Sequence, residues 1–286
     1  MAVVGLVIHH DRDSAAELAS ATTGWLIDRG HCVRIPEADA AVVGLDAYGV
    51  EVDRFADGLD VAVSLGGDGT MLRTVEMVAA HEIPLIGVNL GQLGYLTEVD
   101  PDQLRESLDQ YLAGSYTIEE RMLLSVRIEA PAGGITVSHA LALNEAVLEK
   151  TLSGHTVRLD VAINGHFFTP YATDGLIVAT PTGSTAYSFS ARGPIVAPTH
   201  RALMLTPVSP HMLFDRTLVL DADTELSITV DGHRPAALTV DGRHLGELAL
   251  GDRVVCTTSS YVARLVVFAP RDFHQILKAK FGLSDR

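Results

Sequence analysis

The stretch Val63-Ser64-Leu65-Gly66-Gly67-Asp68-Gly69-Thr70-Met71 decides how the rest of the chain is read. An apolar run, Val61 to Leu65, stops at two glycines, an aspartate and a third glycine. Beyond it Met71, Leu72, Val75, Val78 and Ala79 recur at helical spacing, which predicts a helix from about Thr70 to His81. A strand, a glycine turn and a helix start together make an anion site, because unpaired N–H groups and the positive end of the helix dipole point outward. A carboxylate in such a turn repels phosphate, so Asp68 needs a reason. One is plain turn geometry, with Thr70 as the helix N-cap. The other is chemistry: an aspartate that accepts a hydroxyl proton orients an alcohol attacking a phosphoryl group. Arg73, one turn into the helix, then neutralises phosphate charge; read alone, it is a solvated helix residue. No G-K-[ST] of a P-loop occurs in the chain, and the turn lacks the G-x-G-x-x-G spacing.

Outward from this turn the first third alternates strand and helix. Val3 to Ile8 reads as a buried strand, Asp13-Ser14 as the start of a helix through Leu26, and Cys32 to Pro36 as a strand after Gly30. Residues 37–60 read as a weakly patterned acidic loop. Ile83 to Asn89 is the next strand, followed by a second glycine-bearing turn, Gly87 to Leu96. Two such turns side by side frame a cleft for a diphosphate; the alternative is an ordinary exit with Asn89 as a turn former. Pro101 opens a helix through about Leu112. The alternation predicts an open parallel sheet with ligands outside the carboxyl ends of its strands.

After that the period becomes two. Segments from Arg121 to Ser259 read as strands, punctuated by the hairpin-type pairs Asn164-Gly165, Asp231-Gly232 and Asp241-Gly242. Residues 270–282 return to helical spacing with Phe273, Ile276, Leu277 and Phe281 apolar. The expected organisation is an α/β domain at 1–115, a β-rich, sandwich-like domain at 116–262, and a segment 263–286 that packs back on the first domain.

Composition narrows the function. The 286 residues are 47% apolar and 20% charged, an ordinary globular balance. No apolar run approaches the ~20 residues of a membrane helix, and the start of the chain does not read as a signal peptide. With 21 basic and 36 acidic residues, net −15, the chain is a poor partner for nucleic acid or an anionic membrane. Lysine occurs only at 150, 278 and 280, so arginines and backbone amides must bind any anionic substrate. Cys32 and Cys256 read as buried free thiols in a reducing compartment. The 12 histidines contain no metal-binding spacing, and His9 and His10 point to opposite faces of a strand.

Two further stretches fix a resemblance: Leu143-Asn144-Glu145-Ala146-Val147, and Asp174 to Val196, which reads DGLIVATPTGSTAYSFSARGPIV. With the glycine turns at 66–70 and 87–96 they resemble the inorganic polyphosphate/ATP-NAD kinases, the NAD kinase family, in order and spacing, strongly over about 60–200. The resemblance implies transfer of a terminal phosphoryl group from ATP, or polyphosphate, to the 2′-hydroxyl of the adenosine ribose of NAD. It implies a divalent cation, magnesium above all, and cytosolic homodimers or homotetramers.

Carried over by position, Asp68 matches the catalytic aspartate, Gly69 the backbone against the substrate, and Arg73 a residue at the phosphate end. Asn144 and Glu145 match a pair that contacts the NAD nucleoside, and Asp174 an acid near the nicotinamide-side ribose. Thr185, Ala186, Tyr187, Ser188, Phe189 and Ser190 match a segment lining the dinucleotide pocket, and His155 a polar contact. The chain departs from the pattern at Arg192, where most members have glycine, and at Arg243, where a glutamine often follows Asp-Gly. A lipid kinase of the same superfamily or a non-catalytic NAD(H) sensor are the alternatives. The first leaves the 143–147 and 174–196 stretches without a use, and the second has no need of a carboxylate in a phosphate turn.

Overall fold

The computed structural model describes residues 1–91, 94–130, 134–269 and 272–283, so Gln92 and Leu93 of the second glycine turn and Pro270-Arg271 before the last helix lie outside it. The chain forms two compact units, Met1–Glu120 with Val262–Arg286, and Arg121–Tyr261.

The first unit is built on parallel strands β1 (Val3–Ile8), β2 (Cys32–Pro36), β3 (Gly49–Val50), β4 (Val61–Gly66) and β5 (Leu85–Asn89), in the order β3-β2-β1-β4-β5. Helices α1 (Asp13–Asp28), α2 (Glu37–Val43), α3 (Val52–Phe55), α4 (Asp68–Val78) and α5 (Leu104–Leu112) connect and follow them. Leu6, Ile8, Val63, Leu65, Ile86 and Val88 are buried in one cluster, as expected of near-continuous apolar strands in a covered parallel sheet. The register sets the function: Ile8 lies opposite Leu65 and Gly66 opposite Asn89. The carboxyl ends of β1, β4 and β5 are therefore level, and the loops that leave them start side by side.

Helix α4 begins at Asp68 with Gly67 as its N-cap and no side-chain cap. Thr70 is not the cap that turn geometry alone suggested; it sits buried in the first turn, and a Cβ on Gly66 would collide with its side chain. The weakly patterned stretch 37–60 is not simply a loop, since α2, β3 and α3 fall within it.

The second unit has two antiparallel layers. Its strands are β6 (Thr117–Glu129), β7 (His139–Ala142), β8 (Glu145–Lys150), β9 (Val157–Ile163), β10 (His166–Thr173), β11 (Gly175–Ala179), β12 (Ala202–Val208), β13 (Leu218–Asp221), β14 (Leu226–Val230), β15 (Ala236–Val240), β16 (Arg243–Leu248) and β17 (Arg253–Val267); α6 (Tyr187–Ser190) follows β11. One layer runs β13-β12-β11-β8-β15-β16; the other contains β10-β9-β14 with the start of β17, and the β6–β7 pair. Leu124, Leu148, Leu159, Leu176, Leu205, Ile228 and Leu238 fill the core between the layers. Strand β11 is apolar throughout because both its faces are covered: Leu176 and Val178 enter that core, while Ile177 and Ala179 pack with Met204 and Val196 on the other side.

Asn164-Gly165 and Asp241-Gly242 close the β9–β10 and β15–β16 hairpins, with φ of 50° and 76°, and 46° and 78°. Asp231-Gly232 does not close a hairpin, because β14 and β15 belong to different layers. Strand β17 ends in the first unit, where Leu265 lies beside Leu85 of β5, and α7 (Phe273–Phe281) follows. There Lys280 Nζ sits 4.6 Å from the centroid of the Tyr95 ring. Cys256 is buried, and burial pushes its thiol up to about 12. Cys32, expected to be buried, is exposed at the start of β2. Among the described residues no helix is long and apolar enough to cross a membrane.

Candidate active site

In the first unit a cleft of 450 Å³ opens between the loop after β1 and the turn after β4, with Arg12, Asp68, Gly69 and Arg73 in its wall. Asp68 is half-buried, and its two oxygens accept from the backbone N–H groups of Tyr95 and Leu96, each at 3.1 Å. The first glycine turn thus holds the second, and the carboxylate is fixed in place. Gly94 makes this approach possible, since a Cβ there would collide with Asp68 Oδ1 and Thr97 Oγ1. Burial, and then the Asp68 charge, raise the Tyr95 phenol above its ordinary value. Asn89 Oδ1 accepts from Gly91 N–H at 3.1 Å, and Leu90 N–H donates to Gly66 C=O at 3.0 Å.

Arg73 has a partner that sequence reasoning did not foresee. Its two terminal nitrogens donate to the two oxygens of Asp39, at 2.9 and 2.7 Å, and one also donates to Ile8 C=O at 2.6 Å. Asp39 is 1% exposed and also accepts from Ile8 N–H at 2.7 Å, with His10 Nε2 a further 2.7 Å from its other oxygen. His9 and His10 are therefore not strand residues on opposite faces: β1 has ended, and His10 joins the Asp39 group. The signal that pointed to Asp39 was faint, one of two acids within Glu37-Ala38-Asp39-Ala40-Ala41-Val42-Val43. Among the described residues no three His, Cys, Asp or Glu side chains gather as a metal cage. A magnesium ion commonly takes one or two carboxylates and completes its shell with phosphates and water.

In the second unit another aspartate organises the site. Asp241, at φ 46°, accepts from the N–H groups of Leu143, Asn144 and Glu145 at 2.7, 2.9 and 3.0 Å. This breaks the run 135–148, which sequence period alone reads as one strand, into β7 and β8. Asn144 C=O accepts from Thr180 N–H at 2.8 Å, and a Cβ on Gly183 would collide with that carbonyl. The Asn144 side-chain amide bonds to no described residue.

Glu145 is 7% exposed, and its Oε2 has no hydrogen-bond partner among the described residues. Burial, with the Asp241 charge adding to it, pushes its carboxyl up to about 8, against the pull of a Tyr187 N–H that donates to it. A group so placed is a hydrogen-bond donor at neutral pH. Glu145 thus meets the start of α6 at Tyr187, with Asn144 its neighbour in the chain. The Tyr187 phenol is itself raised, by burial first and then by Glu149, Asp174 and Glu145.

The remaining candidates divide. Asp174 is half-buried and paired with Lys150 Nζ at 2.7 Å. Thr185 Oγ1 donates to Thr182 C=O at 3.3 Å, and Ala186 leads into α6. Ser188 is buried against Thr206 Oγ1 at 2.9 Å, so it supports the α6 turn from behind, while Phe189 and Ser190 are exposed. His155 is exposed in the loop before β9 and bonds to none of these residues. Arg192 adopts φ 68°, the conformation a glycine takes without strain, and with Tyr187 and Arg216 it borders a second cavity of 540 Å³.

Both halves of the chain match known families. The ATP-NAD kinase N-terminal domain model covers residues 4–116 and the ATP-NAD kinase C-terminal domain model residues 143–268. An NAD kinase of Heliobacterium modesticaldum is 41% identical over 98% of this chain and 98% of its own. One of Geobacter metallireducens is 40% identical over 85% of each chain. Among solved structures, a yeast NADH kinase complexed with NADH superposes with a TM-score of 0.90 at 26% identity, covering 100% of this chain and 89% of the other. The two-unit fold, the glycine turn at the head of α4, the two family models that between them cover most of the chain, and relatives alike over 85% and 98% of it make it a member of the NAD kinase family.

Proposed function

We propose that the phosphoryl group passes from ATP to the 2′-hydroxyl of the adenosine ribose of NAD, with Asp68 as the orienting base. The observation that carries this reading is the carboxylate itself, held by two backbone N–H groups at the head of α4, in a cleft whose wall also carries positive charge. The ribose hydroxyl gives its proton to Asp68 as its oxygen bonds to the γ-phosphorus, the bond to the β-phosphate oxygen breaks, and ADP leaves. Asn144, protonated Glu145 and Tyr187 receive the nucleoside of the dinucleotide; Asp174 and the 185–190 turn are its further contacts, and His155 is the weakest of them. The divalent cation, magnesium by preference, enters with the phosphates of ATP as part of the substrate. Polyphosphate is an alternative donor, the protein works in the cytoplasm, and the assembly is a homodimer or homotetramer.

The test is an endpoint assay with NAD, ATP and magnesium, read by a dehydrogenase that accepts only NADP. The expected outcome is NADP from the wild-type chain, and a turnover lower by about 10²–10⁴ in Asp68→Asn with NAD binding retained. An Asn variant with near-normal turnover removes Asp68 as the base. No NADP from folded wild type with ATP or polyphosphate removes the reaction.

A further inference from the structure

We propose that Arg12, and not Arg73, is the cation that receives the phosphates of the donor nucleotide in the Asp68 cleft. This rests on the reading of that cleft as the phosphoryl-transfer site. Both arginines border the cleft. Arg73, however, is spent: both its terminal nitrogens lie on the carboxylate of Asp39, which neutralises its charge, and one reaches Ile8 C=O as well. A phosphate at Arg73 would have to compete with a bidentate pair whose acid is buried, and separating such a pair leaves a charge without compensation. The Asp39–Arg73 pair is better suited to hold the end of β1, and with it the loop 9–12, in position.

Arg12 is differently placed. Its Nη1 donates to Leu90 C=O, and its guanidinium lies against Gly91, where a Cβ would collide with it. That contact anchors the side chain to the second glycine turn, whose Tyr95 and Leu96 N–H groups hold Asp68. One polypeptide segment therefore positions both the base and the cation. A guanidinium has five N–H donors; the bond to Leu90 uses one, and among the described residues Arg12 meets no carboxylate. A half-buried arginine that is oriented, uncompensated and at the rim of a cleft fits the charge of a polyphosphate chain. The chain has only three lysines, at 150, 278 and 280, and none borders this cleft.

The experiment uses the full chain with Arg12→Gln, which keeps a donor for Leu90 C=O and removes the charge. The Michaelis constant for ATP is expected to rise tenfold or more while that for NAD stays within twofold. Inhibition by inorganic tripolyphosphate should weaken by a similar factor. An ATP constant within twofold of wild type overturns the proposal. So does a parallel rise for ATP and NAD with a lowered melting temperature, which is what a purely structural role predicts. If Arg12→Gln does not fold, Arg12→Lys takes its place: a threefold or larger rise for ATP alone supports the role of the guanidinium fork, and an unchanged constant refutes it. Wild type that makes no NADP would remove the reaction itself, whereas an active wild type with an indifferent variant removes only Arg12.

Discussion

Asp68 and Asp241 do the same mechanical job in different units, and the outcomes differ. Each is an aspartate in a turn whose carboxylate gathers backbone N–H groups of another turn, two for Asp68 and three for Asp241. Each gathered turn leaves a glycine no room for a Cβ: Gly94 lies against the Asp68 carboxylate and Gly183 against the Asn144 carbonyl. In the first unit the carboxylate stays at the wall of an open cleft, where it can meet a substrate. In the second the burial of Glu145, with the Asp241 charge adding to it, holds that carboxyl in its neutral form. One device thus yields an acceptor in one place and, indirectly, a donor in the other, and exposure decides which.

The sharpest way to break the comparison is Gly94→Ala. The added methyl displaces the Asp68 carboxylate without removing it, and a misplacement of about 1 Å is worth roughly a hundredfold in turnover. Steady-state kinetics should show that loss in kcat, with the constant for NAD little changed. A normal kcat would mean that the position of Asp68 is not critical.

Glu145→Gln examines the other side. Glu145 has a folded value of about 8 against an ordinary 4.5. Below 4.5 the carboxyl is protonated whether the chain is folded or not. Between 4.5 and 8 only the unfolded chain ionises, so wild type loses stability as pH rises, by up to about 1.4 kcal/mol per pH unit from this group. The Gln variant lacks this loss. Its melting advantage should grow from pH 5 to pH 8 and then level off, and its constant for NAD at pH 7 should stay within about threefold of wild type. A pH-independent difference would mean that Glu145 is ionised in the folded protein.

Asp241→Asn should have the smallest effect. An amide cannot accept all three N–H groups, and a stranded buried donor costs about 1–3 kcal/mol. Removing the charge also lets Glu145 ionise at lower pH. Thermal melts should therefore show a lower stability near pH 5 and a narrower window of pH dependence than in wild type.

Local signals made most of the fold legible. The alternation of apolar runs and helical spacing located β1, α1, β2, β4, α4 and β5, and Asn164-Gly165 and Asp241-Gly242 marked hairpins because left-handed φ values are a local demand. Asp231-Gly232 misled for the same reason: a turn dipeptide says that the chain bends, not which sheet it enters. What stayed hidden is held at long range. Asp39 is defined by Ile8, 31 residues away, and by Arg73, 34 residues away. Asp241 is defined by N–H groups 96–98 residues before it. No periodicity reports such partners. Tyr187 and Glu145 were named from resemblance, but their shared hydrogen bond and the altered acidity of Glu145 come only from packing.

The pairing of Leu265 with Leu85 has a consequence for synthesis. Strand β5 leaves the ribosome with one flank satisfied by β4 and the end of the other by residues 98 and 99, which bond to Gly87 and Asn89; its start, at Leu85, waits until all of residues 121–261 have been made. During that interval the nascent chain carries an unpaired strand end at Leu85 on an apolar strand, a short stretch of the kind of edge that recruits other chains. The residues from 262 onward therefore act as a late closure for the first unit. A chain stopped short of them would be expected to fail by clumping before it failed by inactivity.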